Sequence, residues 1–154
     1  MKNKPKAYLM VGLPGSGKST WIKNNLSPDI EIISRDIIRN RMGFTKSVDE
    51  KAVLSKGKEN AVTEFEMNLI QSYLSMGKDI VIDDINTGKY RKGMIDFLHD
   101  NGAWVIGVRM NTSLDTCINR REGQIPAANM RDIKKRMIPL MDDEVDTVID
   151  VAGE

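Results

Sequence analysis

The sequence predicts an α/β domain, a parallel β-sheet with helices on both faces. Three observations lead there. Five short runs rich in Ile and Val recur along the chain, helical patterns separate them, and a glycine-rich loop joins the first run to the first helix. Runs apolar on both faces suit strands covered from both sides. Their alternation with helices is the signature of a parallel sheet.

The elements follow in order. KAYLMV at 6–11 is the first strand, and STWIKNNL opens the first helix. IEIIS at 30–34 is the second strand, and RDIIR follows it directly. The longest helical pattern covers 48–76, with Ala61, Phe65, Leu69 and Tyr73 on one face at spacings of four and a break expected at Gly57. DIVID at 79–83 is the third strand. A helix over 89–100 should stop at Asn101-Gly102, a usual C-terminal signal. WVIGVRM at 104–110 is the fourth strand, helices are expected over 113–121 and 129–141, and VDTVIDV at 145–151 is the fifth strand. No repeat, low-complexity tract or linker divides the 154 residues, so residues 1–154 read as one domain.

Composition narrows the chemistry. Apolar residues at 40% and charged residues at 29% are ordinary for a soluble globular chain. No apolar run approaches the ~20 residues needed to cross a bilayer, so no membrane partner is expected. The basic residues before AYLMVG precede a strand rather than a signal-peptide core. Cys117 is the only cysteine, which rules out an internal disulfide and points to the cytoplasm. It reads as a packed helix residue. His99, the only histidine, falls near the end of a surface helix. Mechanisms built on a histidine base or a His/Cys zinc site have almost nothing to work with. The net charge of +1 hides an uneven distribution: residues 35–58 carry seven Lys/Arg against three Asp/Glu, and residues 118–136 carry six against two. The last thirteen residues carry six acids and no base. The basic segments read either as solvated helix faces or as tracks beside a phosphate site.

GLPGSGKS satisfies G-x-x-x-x-G-K-[ST] through Gly12, Gly17, Lys18 and Ser19. Glycines let the backbone curl so that successive N–H groups face phosphate oxygens. Lys18 places an ammonium on the β and γ phosphates, and the Ser19 hydroxyl is the expected Mg²⁺ ligand. The following helix adds its positive N-terminal end. The candidate nucleotide-binding segment is Gly12, Pro14, Gly15, Ser16, Gly17, Lys18, Ser19 and Thr20, with ATP or another NTP as ligand. The loop follows an apolar strand and opens a helix, as the motif requires. At the end of the third strand, Asp83 and Asp84 supply the acidic element; Asp83 could orient Mg²⁺ through water. Either one alone could instead cap the following helix.

The destination of the phosphate depends on other segments. No Asn-Lys-x-Asp segment is present to read guanine, and a mechanical ATPase usually needs a longer chain. A small kinase remains, and it needs an acceptor site. The C-terminal ends of parallel strands line the ligand crevice. Asp36 is therefore expected near the phosphates, with Arg39 one turn away. Asp36 could take a hydroxyl proton while Arg39 binds an anionic group of the acceptor; the alternative is a surface ion pair. Arg120 and Arg121 end a helix before GQIP and suggest a lid over about 119–130 that neutralises the transferred group. A basic helix C-terminus meeting its own dipole is the other reading.

GLPGSGKSTW, SRDIIR, IDDIN and CINRREGQIP together resemble the kinase domain of the phage polynucleotide kinase family, from about 7 to 140. The phosphate loop is shared by a large superfamily; the R-D-x-x-R segment is more specific. The resemblance implies a P-loop NTPase three-layer sandwich with strand order 2-3-1-4-5. It also implies transfer of the ATP γ-phosphate to the 5′-hydroxyl of DNA or RNA. Lys18 and Ser19 become the phosphate and Mg²⁺ residues, Asp36 the general base, and Arg39 the contact to the acceptor's phosphate. Asp84 matches an acidic acceptor-side residue of a D-T-N segment; Asn86 keeps the asparagine and is implied as an acceptor-binding residue with it, while Ile85 replaces the threonine. Arg120 or Arg121 corresponds to the lid arginine. A small-molecule kinase and a non-catalytic ATP-binding module are the alternatives. No D-x-D-x-T segment is present, so no phosphatase activity is expected.

Overall fold

A computed structural model describes residues 3–44 and 56–153. Five parallel strands form one sheet in the order β2-β3-β1-β4-β5, the order that the resemblance implied. They are β1 (Lys6–Val11), β2 (Glu31–Ile33), β3 (Ile80–Ile82), β4 (Trp104–Met110) and β5 (Thr147–Val151). The helices are α1 (Lys18–Asn25), α2 (Arg35–Arg41), α3 (Lys56–Ser75), α4 (Arg91–Asp100), α5 (Leu114–Arg120) and α6 (Ala127–Arg136). None of the described helices is long and apolar enough to cross a membrane.

Strand alternation divides the core into two layers. Ala7, Leu9 and Val11 of β1 face one side, where Ile33, Ile80 and Ile82 join Val62 and Ile70 of α3 and Ile95 and Leu98 of α4. Tyr8 and Met10 face the other side and pack with Val81, Val108 and Ile22 of α1. Both faces are covered, which is why these strands read as unbroken apolar runs. A third cluster seats α5 and α6 against the loop after β1 through Leu13, Cys117 and Met130. Gly107 of β4 has a steric reason: a Cβ there would come within 2.6 Å of Leu140 Cδ2.

Two helix expectations need correction. The buried face of α3 is Val62, Glu66, Ile70 and Leu74, one residue along from the expected stripe, and Phe65 is 43% exposed. A glutamate in the true core stripe makes the neighbouring stripe look more continuous. Gly57 is itself helical in α3, and the expected portion over 48–55, on which the break expected at Gly57 depends, lies outside the described residues. The last helix ends at Arg136 rather than 141 and starts at Ala127, just after Pro126. Pro139 explains the early stop, since proline lacks an N–H and disfavours helix at the residue before it. The freed segment is held elsewhere: Ile138 N donates to Thr87 O, and buried Arg91 donates to the Ile138 and Pro139 carbonyls and to Glu144.

Candidate active site

The loop after β1 carries the left-handed residues that its curl needs, Gly15 at φ 80° and Gly17 at φ 95°. A Cβ at Gly15 would lie 3.0 Å from the Cys117 carbonyl, so α5 packs directly on the loop. Lys18 curls beneath it, donating from Nζ to Gly12 O at 3.1 Å and Leu13 O at 2.9 Å. Burial holds the Lys18 ammonium below its ordinary pKa, partly offset by the Asp83 charge. An arriving triphosphate would supply the anion that restores it.

The segment after β3 is stitched to both neighbouring strands. Asp83 N donates to Ile33 O, and Gly12 N donates to Ile85 O. Ser19 Oγ consequently faces Asp83 Oδ2 at 3.4 Å, while burial raises the Asp83 pKa. A hydroxyl beside a carboxylate suits Mg²⁺, a hard ion that keeps several waters and takes few protein oxygens. The donor set therefore fits the ion as the sequence suggests. The described residues contain no cluster of three His/Cys/Asp/Glu able to hold a metal alone.

One cleft of about 1080 Å³ gathers most of the expected residues. Its lining includes Pro14 to Thr20, Asp36, Arg39, Asp83, Asp84, Arg120 and Arg121. Ser34 caps α2, accepting from Ile37 N at 3.4 Å, so α2 starts at the C-terminal end of β2 and carries Asp36 in its first turn. The Asp36 side chain is 93% exposed, and its Oδ1 accepts from Arg39 Nη1 at 2.8 Å. Arg120 Nη1 donates to Gly15 O at 3.0 Å, whereas Arg121 Nη1 donates to Gln124 Oε1. Both arginines flank the loop. Asn86 is not among the residues that line the cleft. Its amide donates to Met10 O at 2.7 Å from a backbone at φ 51°, so it braces the end of β1 instead of facing an acceptor.

A polar network behind α2 escaped the sequence reading. Arg35 N donates to Asp84 Oδ1 at 3.0 Å. The Arg35 guanidinium reaches Thr63, Glu59 and Glu66, and Arg39 forks onto Glu59 with two bonds of 2.9 and 3.0 Å. Glu59 is held down to about 2 by hydrogen bonds from Arg39 and then Arg35. Glu66, with a side chain 3% exposed, is pushed up to about 7 by burial and by the neighbouring Asp84 charge. Its buried Oε2 has no N–H or O–H donor. Burial beside the Asp84 charge thus favours the protonated, neutral form of Glu66. The signal was present in the sequence as Glu59, Thr63 and Glu66, spaced four and seven residues apart on one helix face. Within the basic segment 35–58, Arg35 and Arg39 are thus both paired with Glu59.

The fold has known counterparts. A chain of the Pnkp1/Rnl/Hen1 RNA repair complex superposes with a TM-score of 0.74 at 18% identity, covering 88% of this chain and 45% of that one. This chain therefore spans less than half of that protein's length. A sugar kinase from Janibacter sp. HTCC2649 superposes with a TM-score of 0.64 at 14% identity, covering 95% and 85%. The Mycobacterium tuberculosis APS kinase CysC, in complex with AMPPNP and APS, gives 0.63 at 15% identity, covering 96% and 88%. These likenesses are of fold. At the level of sequence, the family described as AAA domain matches residues 8–140, which is most of the chain. The chain belongs to the AAA domain family.

Proposed function

We propose that this chain is an ATP-dependent phosphotransferase that phosphorylates the 5′-hydroxyl of a polynucleotide, with Asp36 as general base. One observation carries the phosphotransferase reading: the exposed Asp36 carboxylate shares a cleft with Lys18, Ser19 and Asp83. A module that only held nucleotide would have no use for a base there. The Asp36 carboxylate takes the acceptor's hydroxyl proton as that oxygen bonds to the γ-phosphorus. The bond from the γ-phosphorus to the β,γ-bridging oxygen breaks, and ADP leaves with that oxygen. Lys18 and the arginines at the end of α5 neutralise the moving charge. Ser19 and, through water, Asp83 would hold Mg²⁺, which supplies charge neutralisation and orients the phosphates. Residues 119–130 act as the lid of a single domain.

Polynucleotide as acceptor is supported by SRDIIR, by IDDIN, and by the resemblance of the fold to a chain of an RNA repair complex. A small neutral acceptor, such as a sugar or nucleoside hydroxyl, is the second reading. It is favoured by the pairing of Arg35 and Arg39 with Glu59, which leaves little net positive charge beside Asp36. The test is a competition. Label from γ-labelled ATP is offered to a 5′-hydroxyl oligonucleotide together with nucleosides and sugars. Label on the oligonucleotide supports the polynucleotide reading, and label confined to a small molecule refutes it.

A further inference from the structure

Arg39 divides its donors in a telling way. Nε and Nη2 meet Glu59 Oε1 and Oε2 at 2.9 and 3.0 Å, and only Nη1 meets Asp36, at 2.8 Å. The two-pronged edge, the strongest that an arginine offers a carboxylate, is thus turned away from the exposed Asp36 and toward α3. Asp36 Oδ2 takes no hydrogen bond among the described residues. Glu59 is itself anchored. Arg35 Nη2 donates to the same Oε2 at 2.9 Å, while Arg35 Nη1 donates to Thr63 one turn further along α3.

We propose that Glu59 is a positioning residue for the acceptor site, fixing Arg39 from behind so that the guanidinium presents its outer edge to the cleft and leaves Asp36 unmasked. The proposal rests on the roles given above to Asp36 and Arg39. The physical alternative is plain. An arginine three residues from an aspartate on one helix face is free to fold its fork over it. Without Glu59, both Asp36 oxygens would be engaged and the base blocked. Glu59 is well suited to the task because Arg39 and Arg35 keep it ionised down to about pH 2.

The test compares steady-state transfer from ATP to a 5′-hydroxyl oligonucleotide for the wild type, Glu59→Gln, Arg39→Gln and the double variant, with Asp36→Asn as reference and thermal midpoints as control. Glu59→Gln keeps one accepting oxygen and the shape but loses the charge. It should lower kcat by about tenfold or more when assayed well below a thermal midpoint that itself falls as the Arg35 and Arg39 ion pairs weaken. In the Arg39→Gln background the same change should have little further effect, because no guanidinium remains to aim. A lower acceptor KM with kcat intact would overturn the proposal, since Glu59 would then merely occupy an anion's place. Equal losses in both backgrounds would overturn it too, as would no loss in either while Asp36→Asn abolishes transfer. If the wild type labels no oligonucleotide, the polynucleotide reading falls by itself. Spectra of ¹⁵N-arginine-labelled protein then decide on Glu59. An Arg39 Nε–H that exchanges slowly in the wild type and fast in Glu59→Gln upholds the positioning, and fast exchange in both refutes it.

Discussion

Replacing Glu66 by glutamine should make the protein more stable at alkaline pH and leave it little changed at mildly acidic pH. Glu66 lies within the core stripe of α3, with a side chain 3% exposed, beside Asp84 and 3.5 Å from Arg35. The distant Arg35 contact does not compensate for burial, and the carboxyl holds its proton up to about pH 7 instead of 4.5. A carboxyl with a raised folded pKa binds more protons folded than unfolded between those values, so stability falls as pH rises through the window. The interval, at about 1.4 kcal/mol per pH unit, corresponds to about 3 kcal/mol of destabilisation above pH 7. Glutamine removes the ionisation and gives Asp84 an N–H donor. For a chain of this size the gain amounts to about 6–12 °C in midpoint at pH 8, shrinking toward zero near pH 5. Thermal unfolding of both proteins by circular dichroism, from pH 5 to 8.5, measures it. Curves that stay parallel across that range would refute the raised pKa of Glu66.

Other perturbations follow from the same geometry. Gly15→Ala places a Cβ 3.0 Å from the Cys117 carbonyl at φ 80° and should destabilise by about 1–3 kcal/mol in denaturant titrations, besides weakening nucleotide binding. Gly107→Ala brings a methyl within 2.6 Å of Leu140; overpacking of about 1–3 kcal/mol is expected with ATP binding retained. Glu59 has a depressed folded pKa of about 2. Its stabilisation is present above the usual carboxylate range and is lost as pH falls toward 2. Glu59→Gln should therefore flatten the acid limb of the stability–pH curve. Lys18→Ala should abolish phosphate transfer while the fold, read by circular dichroism, persists, because the side chain serves only its own loop.

Sheet, loop and cleft were legible because each rests on local, periodic or chemically obligatory residues. Five Ile/Val runs reappear as strands, and GLPGSGKS can curl only with glycines at positions 15 and 17. Asp36 and Arg39 were legible because helix geometry places residues three apart side by side. Other features depend on partners distant in sequence. Nothing near Arg35 announces Glu59 or Glu66, which come from a helix more than twenty residues on. The buried glutamate also misdirected the reading of α3, because a charge in a core stripe looks like a surface position until its partners are known. Asn86 was assigned by analogy to face an acceptor, but its amide is drawn to the Met10 carbonyl. Pro139 was a readable stop for α6 that the apolar pattern over 129–141 obscured.

Single-turnover transfer of the ATP γ-phosphate to a 5′-hydroxyl oligonucleotide, for the wild type and Asp36→Asn at equal nucleotide occupancy, tests the account most directly. Transfer by the wild type and a fall of about 10²–10⁴-fold in the variant is the predicted result. Transfer at the same rate in both proteins would contradict Asp36 as the base. A nucleotide-bound wild type that labels no oligonucleotide would contradict the polynucleotide acceptor.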